Sequence, residues 1–169
     1  MHLIKRRIAI SVVNTILKGH GFFPLKRKIL NWGGIGIQVG TGSNVVGPIR
    51  STGILIIGSN VWIGANLTCH GNGTVEIEDN CDIAPDVTFL TGGHEIGDRI
   101  RRAGRGFNKN IRVRKGSWIG ARAMVLGNTE GNIEIGEACV VAAGAVVIKN
   151  IENNKLIAGV PAKVIRNLE

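Results

Sequence analysis

Tyrosine is absent from this chain of 169 residues, and aromatics supply only 4% of it. A core without bulky rings must be assembled from Val, Ile, Leu and Ala, and a hydrophobic fraction of 44% is enough to do so. The length fits one ordinary domain. Together with 25 glycines, this composition disfavours a helical bundle and favours short β elements joined by tight corners. Acidic residues are missing from the first 75 positions, which carry eight Lys or Arg; from Glu76 onward, 13 basic residues face 12 acidic ones. The net charge of +9 therefore belongs almost wholly to the N-terminal part. That distribution argues against a nucleic-acid-binding surface. Paired cysteines are lacking too. Cys69, Cys81 and Cys139 show no C-x-x-C spacing, and an odd number excludes a simple disulfide framework, so a reducing compartment is expected. No apolar run is long enough to cross a bilayer.

What is present is a period of six. Aliphatic or small residues recur at Val39, Val45, Ser51, then Ile57, Ile63, Cys69, then Ile77, Ile83, Phe89, then Val113, Ile119, Val125, and finally Ile135, Val141, Val147. Four positions after these starts come further small or aliphatic residues, such as Val61, Val87, Ala123 and Ala145. Cys69 falls on the first row and Cys81 and Cys139 on the second, so all three read as core packing. A six-residue period is neither helical nor simple strand alternation. It fits a chain that runs a short strand, turns a corner and repeats, three strands to a coil, with coils stacked at about 4.8 Å. Within each group of three the step is six; between groups it is 6, 8, 24 and 10. Every insertion therefore leaves the prism after the third strand, along one edge. His94 stands on that edge, at the mouth of the longest excursion, residues 95–112.

The repeat, with "SWIGARAMVL" (117–126), "VVAAGAVVIKN" (140–150) and "AGVPAKVIR" (158–166), resembles the hexapeptide-repeat acyltransferases. The closest branch is that of the galactoside and maltose O-acetyltransferases and the surface-polysaccharide O-acetyltransferases, which "NLTCHGNGTVEIEDNCDIAPDVTFLTGGH" (66–94) follows nearly position by position. The resemblance covers residues 57–166. It implies an all-β solenoid, a left-handed parallel β-helix of about five coils; the left hand comes from the resemblance alone, since parallel crossovers are otherwise right-handed. The expected organisation is a basic helical segment over 1–34, the β-helix over 35–155 with loop 95–112, and a C-terminal tail over 156–169. The resemblance further implies a homotrimer with sites between subunits and acetyl-CoA as co-substrate. It makes His94 of "TGGH" the catalytic base and puts Asn66 at the acceptor site. Trp118, Ala121, Ala143, Lys149, Lys163 and Arg166 fall on the CoA groove, and no metal is implied. The sequence departs from the branch at the "GNTEGN" corner (127–132), at Ile148, and in lacking the branch's helical N-terminal segment.

The chemistry suits these residue types. A hydroxyl attacking a thioester must lose its proton, and a neutral imidazole takes it well near pH 7. Glu95 or Asp98 could orient the ring through its other nitrogen. Glycines in "TGG" (91–93) allow the backbone to approach a developing oxyanion. His70, on the same edge, is an acceptor-pocket candidate or a solvated corner residue; Asn66 binds acceptor or turns a corner. The excursion carries Arg99, Arg101, Arg102, Arg105, Lys109 and Arg112 against Glu95 and Asp98. Arg99 is thus a candidate contact to an acidic or lipid-linked saccharide. Lys149, Lys163 and Arg166 suit a donor with several phosphates.

"LIKRRIAISVVNTILK" (3–18) predicts a helix with a broad apolar sector. No small-residue cleavage site follows it, which sets aside a signal peptide. It either seals the open end of the prism or, through residues 3–30, lies peripherally on an anionic membrane. The expected enzyme is a cytoplasmic sugar O-acetyltransferase, free or held peripherally at the inner membrane. The alternatives are transfer to an amine and a non-catalytic β-helix scaffold.

Overall fold

The computed structural model describes residues 2–34, 36–128 and 130–169. Met1, Ile35 (the first residue of the expected coil) and Thr129 of the 127–132 corner lie outside the described residues. Short strands stack into three parallel faces. The first holds Ile37–Val39, Ile54–Ile57, Thr74–Ile77, Ile111–Val113 and Ile133–Ile135. The second holds Asn44–Val45, Trp62–Ile63, Asp82–Ile83, Trp118–Ile119 and Val140–Val141. The third holds Ile49–Ser51, Leu67–His70, Thr88–Leu90, Met124–Leu126 and Val146–Val147. A partial sixth turn follows the five, as Ile151 bridges Ile135 and Leu156 pairs with Val140.

The six-residue row is the core. Of its fifteen positions all but Ser51 are buried. The second row, with Val61, Cys81, Val87, Ala123, Cys139 and Ala145, is buried beside it. Corners are turned in the left-handed region by Asn60, Asn66, Asn80 and Asp86, residue types that tolerate positive φ.

All three insertions leave between the third and first faces. The longest is an ordered β-hairpin where a loop was expected: Gly92–Ile96 pairs antiparallel with Ala103–Asn108. Arg112 is not part of it. That residue is already on the first face, where its guanidinium meets Glu76 at 2.7 Å. The C-terminal segment is likewise a hairpin, Lys155–Gly159 with Ala162–Asn167, which extends the second face.

Residues before the coil form two helices, α1 (His2–Thr15) and α2 (Phe23–Trp32). They bury Val13 and Leu30 against the first coil and Ala9 against the end of α2. More tellingly, they satisfy its open strand edges. The Asn31 side chain accepts from Val39 N–H and donates to Val39 C=O. Asn14 does the same for Ile49. Lys26, fully buried, donates to the carbonyls of Gly19, Val45 and Val46, and burial holds its pKa below the usual lysine range. Arg6 donates to the carbonyls of Ser51 and Gly53. One polar side chain or more thus caps each face, and the helices seal the prism as solenoid caps do.

Candidate active site

The edge between the third and first faces is built around Thr91. Its hydroxyl is buried, donates to His70 C=O at 2.9 Å and accepts from Gly73 N–H at 3.1 Å. Backbone bonds from Thr91 N–H to His70 C=O and from Lys109 N–H to Thr91 C=O close the base of the hairpin. Here the chain leaves and re-enters the coil at one point, so the hairpin is held against the prism.

His94 lies three residues beyond Thr91, after Gly92 and Gly93, and opposite Gly106 in the hairpin. Its Nδ1 lies 2.9 Å from the Gly104 carbonyl oxygen. A carbonyl only accepts, so Nδ1 carries the proton and donates, and Nε2 is left with the lone pair. Neither acid that the sequence offered as an orienter fills that place. The Asp98 carboxylate instead accepts from Ile100 N–H and Arg101 N–H at the hairpin tip. Gly104 is the residue that sequence reasoning missed; a backbone carbonyl has no side-chain signature.

The ring lines an open hollow of about 610 Å³ together with His70, Gly71, Leu90, Phe107 and Asn108. His70 and His94 are therefore brought together. The glycines of this corner answer to packing. A Cβ on Gly93 would sit 2.7 Å from the Phe107 ring, and Gly71 has φ +97° with Thr91 and Gly92 against it. Close approach of Phe107, rather than of a developing oxyanion, accounts for Gly93.

The other expected residues are distributed over the prism. Lys149 is exposed on the same edge, further along, in a hollow with Asn128 and Asn132. Arg99 is exposed at the hairpin tip. Asn66 sits at a different corner, between second and third faces, with φ +62° and its amide donating to Asp86 at 2.9 Å. Ala121 and Ala143 share that corner, which leads into the third-face strands Met124–Leu126 and Val146–Val147. Trp118 projects from the second face, 54% exposed. Lys163 and Arg166 are exposed on the C-terminal hairpin beside it. Within one protomer His70, His94 and Lys149 thus lie on the edge between the third and first faces, with Arg99 at the tip of its hairpin; Asn66, Ala121 and Ala143 lie on the corner between the second and third faces, and Trp118, Lys163 and Arg166 on the second face and its C-terminal hairpin.

No family model matches the sequence. Galactoside O-acetyltransferase of Escherichia coli K12 is 36% identical over 112 residues, 66% of this chain and 53% of that protein. A galactoside acetyltransferase solved in complex with coenzyme A superposes with a TM-score of 0.81 at 27% identity, covering 99% of this chain and 81% of that one. The chain belongs to the hexapeptide-repeat acyltransferase family. A hexapeptide-repeat acetyltransferase of Vibrio cholerae complexed with acetyl coenzyme A shares the fold, at TM-score 0.82 and 24% identity over 99% of this chain and 87% of that one, and the coil is the left-handed β-helix of this family. The chain spans about half the length of the curated relatives it matches. Residues 2–32 contain two helices, and the superposition on the galactoside acetyltransferase takes in nearly the whole chain. Among the described residues, no group of three His, Cys, Asp or Glu is placed to hold a metal ion.

Proposed function

We propose that the protein is an acetyl-CoA-dependent O-acetyltransferase that modifies a sugar hydroxyl of a bacterial surface saccharide and works as a homotrimer in the cytoplasm. The observation that carries this reading is the His94 tautomer fixed by Gly104. Nε2, the nitrogen with the free lone pair, takes the proton of the acceptor hydroxyl as its oxygen attacks the thioester carbonyl. The C–O bond forms, the C–S bond breaks, and the thiolate of CoA leaves, taking up the proton from the imidazolium. A base of this kind contributes roughly 10²–10⁴-fold. The leaving group is good enough that no covalent enzyme intermediate is needed. The galactoside O-acetyltransferase relative supports a sugar hydroxyl over an amine.

The unequal faces support the trimer. The outward row of the third face runs Arg50, Thr68, His70, Thr88, Leu90, Met124, Leu126 and Val146, exposed at Arg50 and His70 and half-buried elsewhere in the lone protomer. The first face instead displays Glu76, Arg112, Glu78, Arg114 and Glu134 in ion pairs. Turning the third face of three prisms toward a common axis buries it. The corner bearing His94 then meets the neighbour's corner bearing Asn66, Ala121 and Ala143. A closed heterologous ring requires this pairing of unlike patches. The crevice so formed joins the base to a wall of small side chains with Trp118, Lys163 and Arg166 alongside, which suits a phosphorylated donor. On the hairpin, Asp98 is spent on the turn, and Arg99, Arg101 and Arg105 take part in no ion pair among the described residues. These arginines suit an acidic or lipid-linked acceptor.

The test is His94→Ala, assayed by CoA thiol release with candidate saccharides, alongside solution mass measurement. Transfer should fall at least a hundredfold with the trimer mass unchanged. Retained transfer removes His94 as the base, and a monomeric wild-type protein removes the shared crevice.

A further inference from the structure

The two capping helices divide their basic residues by role. Arg6 and Lys26 point into the prism and hold strand carbonyls. Arg7, Lys18 and Lys28 are exposed on the other side, and Lys5 lies 5.5 Å over the ring of Trp32. No acidic residue occurs anywhere in the first 75 positions, so nothing in the cap neutralises them. Exposed apolar side chains accompany them on the helices and on the connection between the helices. Leu3 is 73% exposed, Ile4 64%, Ile16 76% and Phe22 68%, and Ile8, Leu25 and Trp32 are also exposed. The inward faces are already satisfied by the coil, and among the described residues these side chains stay exposed. Neither helix is long and apolar enough to cross a membrane.

We propose that the outward surface of α1 and α2 docks the protein on an anionic lipid bilayer, lying in the interface rather than spanning it. Exposed aliphatics and tryptophan interleaved with Lys and Arg, without acids, are the chemistry of an interfacial surface. Charge complementarity selects the occupant. A second copy of this chain would bring an equally basic, acid-free surface against it and be repelled, whereas anionic headgroups attract it. Each basic residue near such a surface shifts partitioning about fivefold. In a threefold ring with parallel prism axes, all three caps face the same way and bind together. His94 is two coils above the first, about 10 Å along the axis, so the crevice stands above the surface at a height suited to a membrane-tethered acceptor. That last consequence rests on the acetyl-transfer reading; the docking does not.

The experiment is flotation of the full-length protein with vesicles of phosphatidylglycerol and phosphatidylcholine, without acetyl-CoA or acceptor. Wild type should float with the anionic vesicles, lose binding at high salt, and bind pure phosphatidylcholine at least tenfold more weakly. The Lys5→Glu, Arg7→Glu, Lys28→Glu triple variant should bind anionic vesicles about a hundredfold more weakly, and Leu3→Ser with Ile4→Ser should also lose binding. Both should keep the wild-type melting temperature and the wild-type transfer rate to a soluble sugar. Absence of binding to anionic vesicles overturns the docking surface. So does equal binding by the variants, or a change of solution mass in the serine variant, which would make the surface a contact between copies. An inactive protein that still floats would sink the transferase reading alone.

Discussion

At the scale of the residue, the position of the proposed base was legible and its hydrogen-bond partner was not. "TGGH" put His94 on the insertion edge because the phase of the repeat could be counted. The carbonyl that selects its tautomer belongs to Gly104, ten positions away across a hairpin, and no side chain announces it. The cysteines behave in the opposite way. Their place on the buried rows was readable from period alone, and it sets their chemistry. Burial pushes the Cys69 thiol up to about 12 and that of Cys81 up to about 11; Cys139 is raised too. A free thiol ionises near 8.5. The native state therefore binds these protons more tightly than the unfolded chain. Their contribution to stability is complete below about pH 8.5 and is lost as pH rises toward the native values. Thermal unfolding should accordingly show a falling midpoint from pH 8.5 upward, lessened in Cys69→Ala relative to that variant's own midpoint at pH 7. A thiol reagent at pH 8 should label none of the three until the chain is unfolded; rapid labelling of the folded protein would contradict the burial that defines the core.

At the scale of the element, the strands were read from periodicity, whereas the two hairpins and α2 were not. Ala103–Asn108 contains two glycines and a buried row never forms along it, so neither alternation nor propensity marks it as a strand. In α2 the start lacks a side-chain cap and has Phe22 at φ 51°; only Pro24 signals it. The buried position that would have shown amphipathic spacing is occupied by Lys26, a cation acting as a cap. The helices are consequently worth more than their apolar burial. Each asparagine cap satisfies one N–H and one C=O at an edge that water cannot fully reach. Asn31→Leu should leave both groups of Val39 unpaired and cost about 1–3 kcal/mol. For a domain of this size that lowers the melting temperature by roughly 2–12 °C. Asn14→Leu should act alike at Ile49, and the double variant should expose open strand edges and aggregate on heating. Differential scanning fluorimetry reads both; a midpoint within a degree of wild type in either single variant would show that water does the capping.

At the scale of the whole molecule, the prism assigns different work to its three sides. The first face is a ladder of ion pairs, the second ends in the C-terminal hairpin, and the third is largely apolar and lies between the edge bearing His94 and the corner bearing Asn66. The sequence showed that one edge was specialised, because all insertions share a phase. It could not show whether Asn66, Ala121 and Ala143, on a different corner from His94, serve the same site, since a one-dimensional register does not say which sides meet in a ring. The arrangement makes a specific forecast. If each crevice takes His94 from one protomer and Asn66 from the next, His94→Ala and Asn66→Ala chains mixed by reversible unfolding will form interfaces that draw both intact residues from different chains. In random trimers from an equal mixture, about a quarter of the crevices are of this kind. Two poorly active parents should therefore yield up to about a quarter of wild-type transfer, and the gain should vanish when the same two preparations are mixed without reassembly. Should the reassembled mixture instead match the mean of its parents, the base and Asn66 serve within one protomer or Asn66 serves only its corner, and the ring built on the apolar face would lose its catalytic meaning.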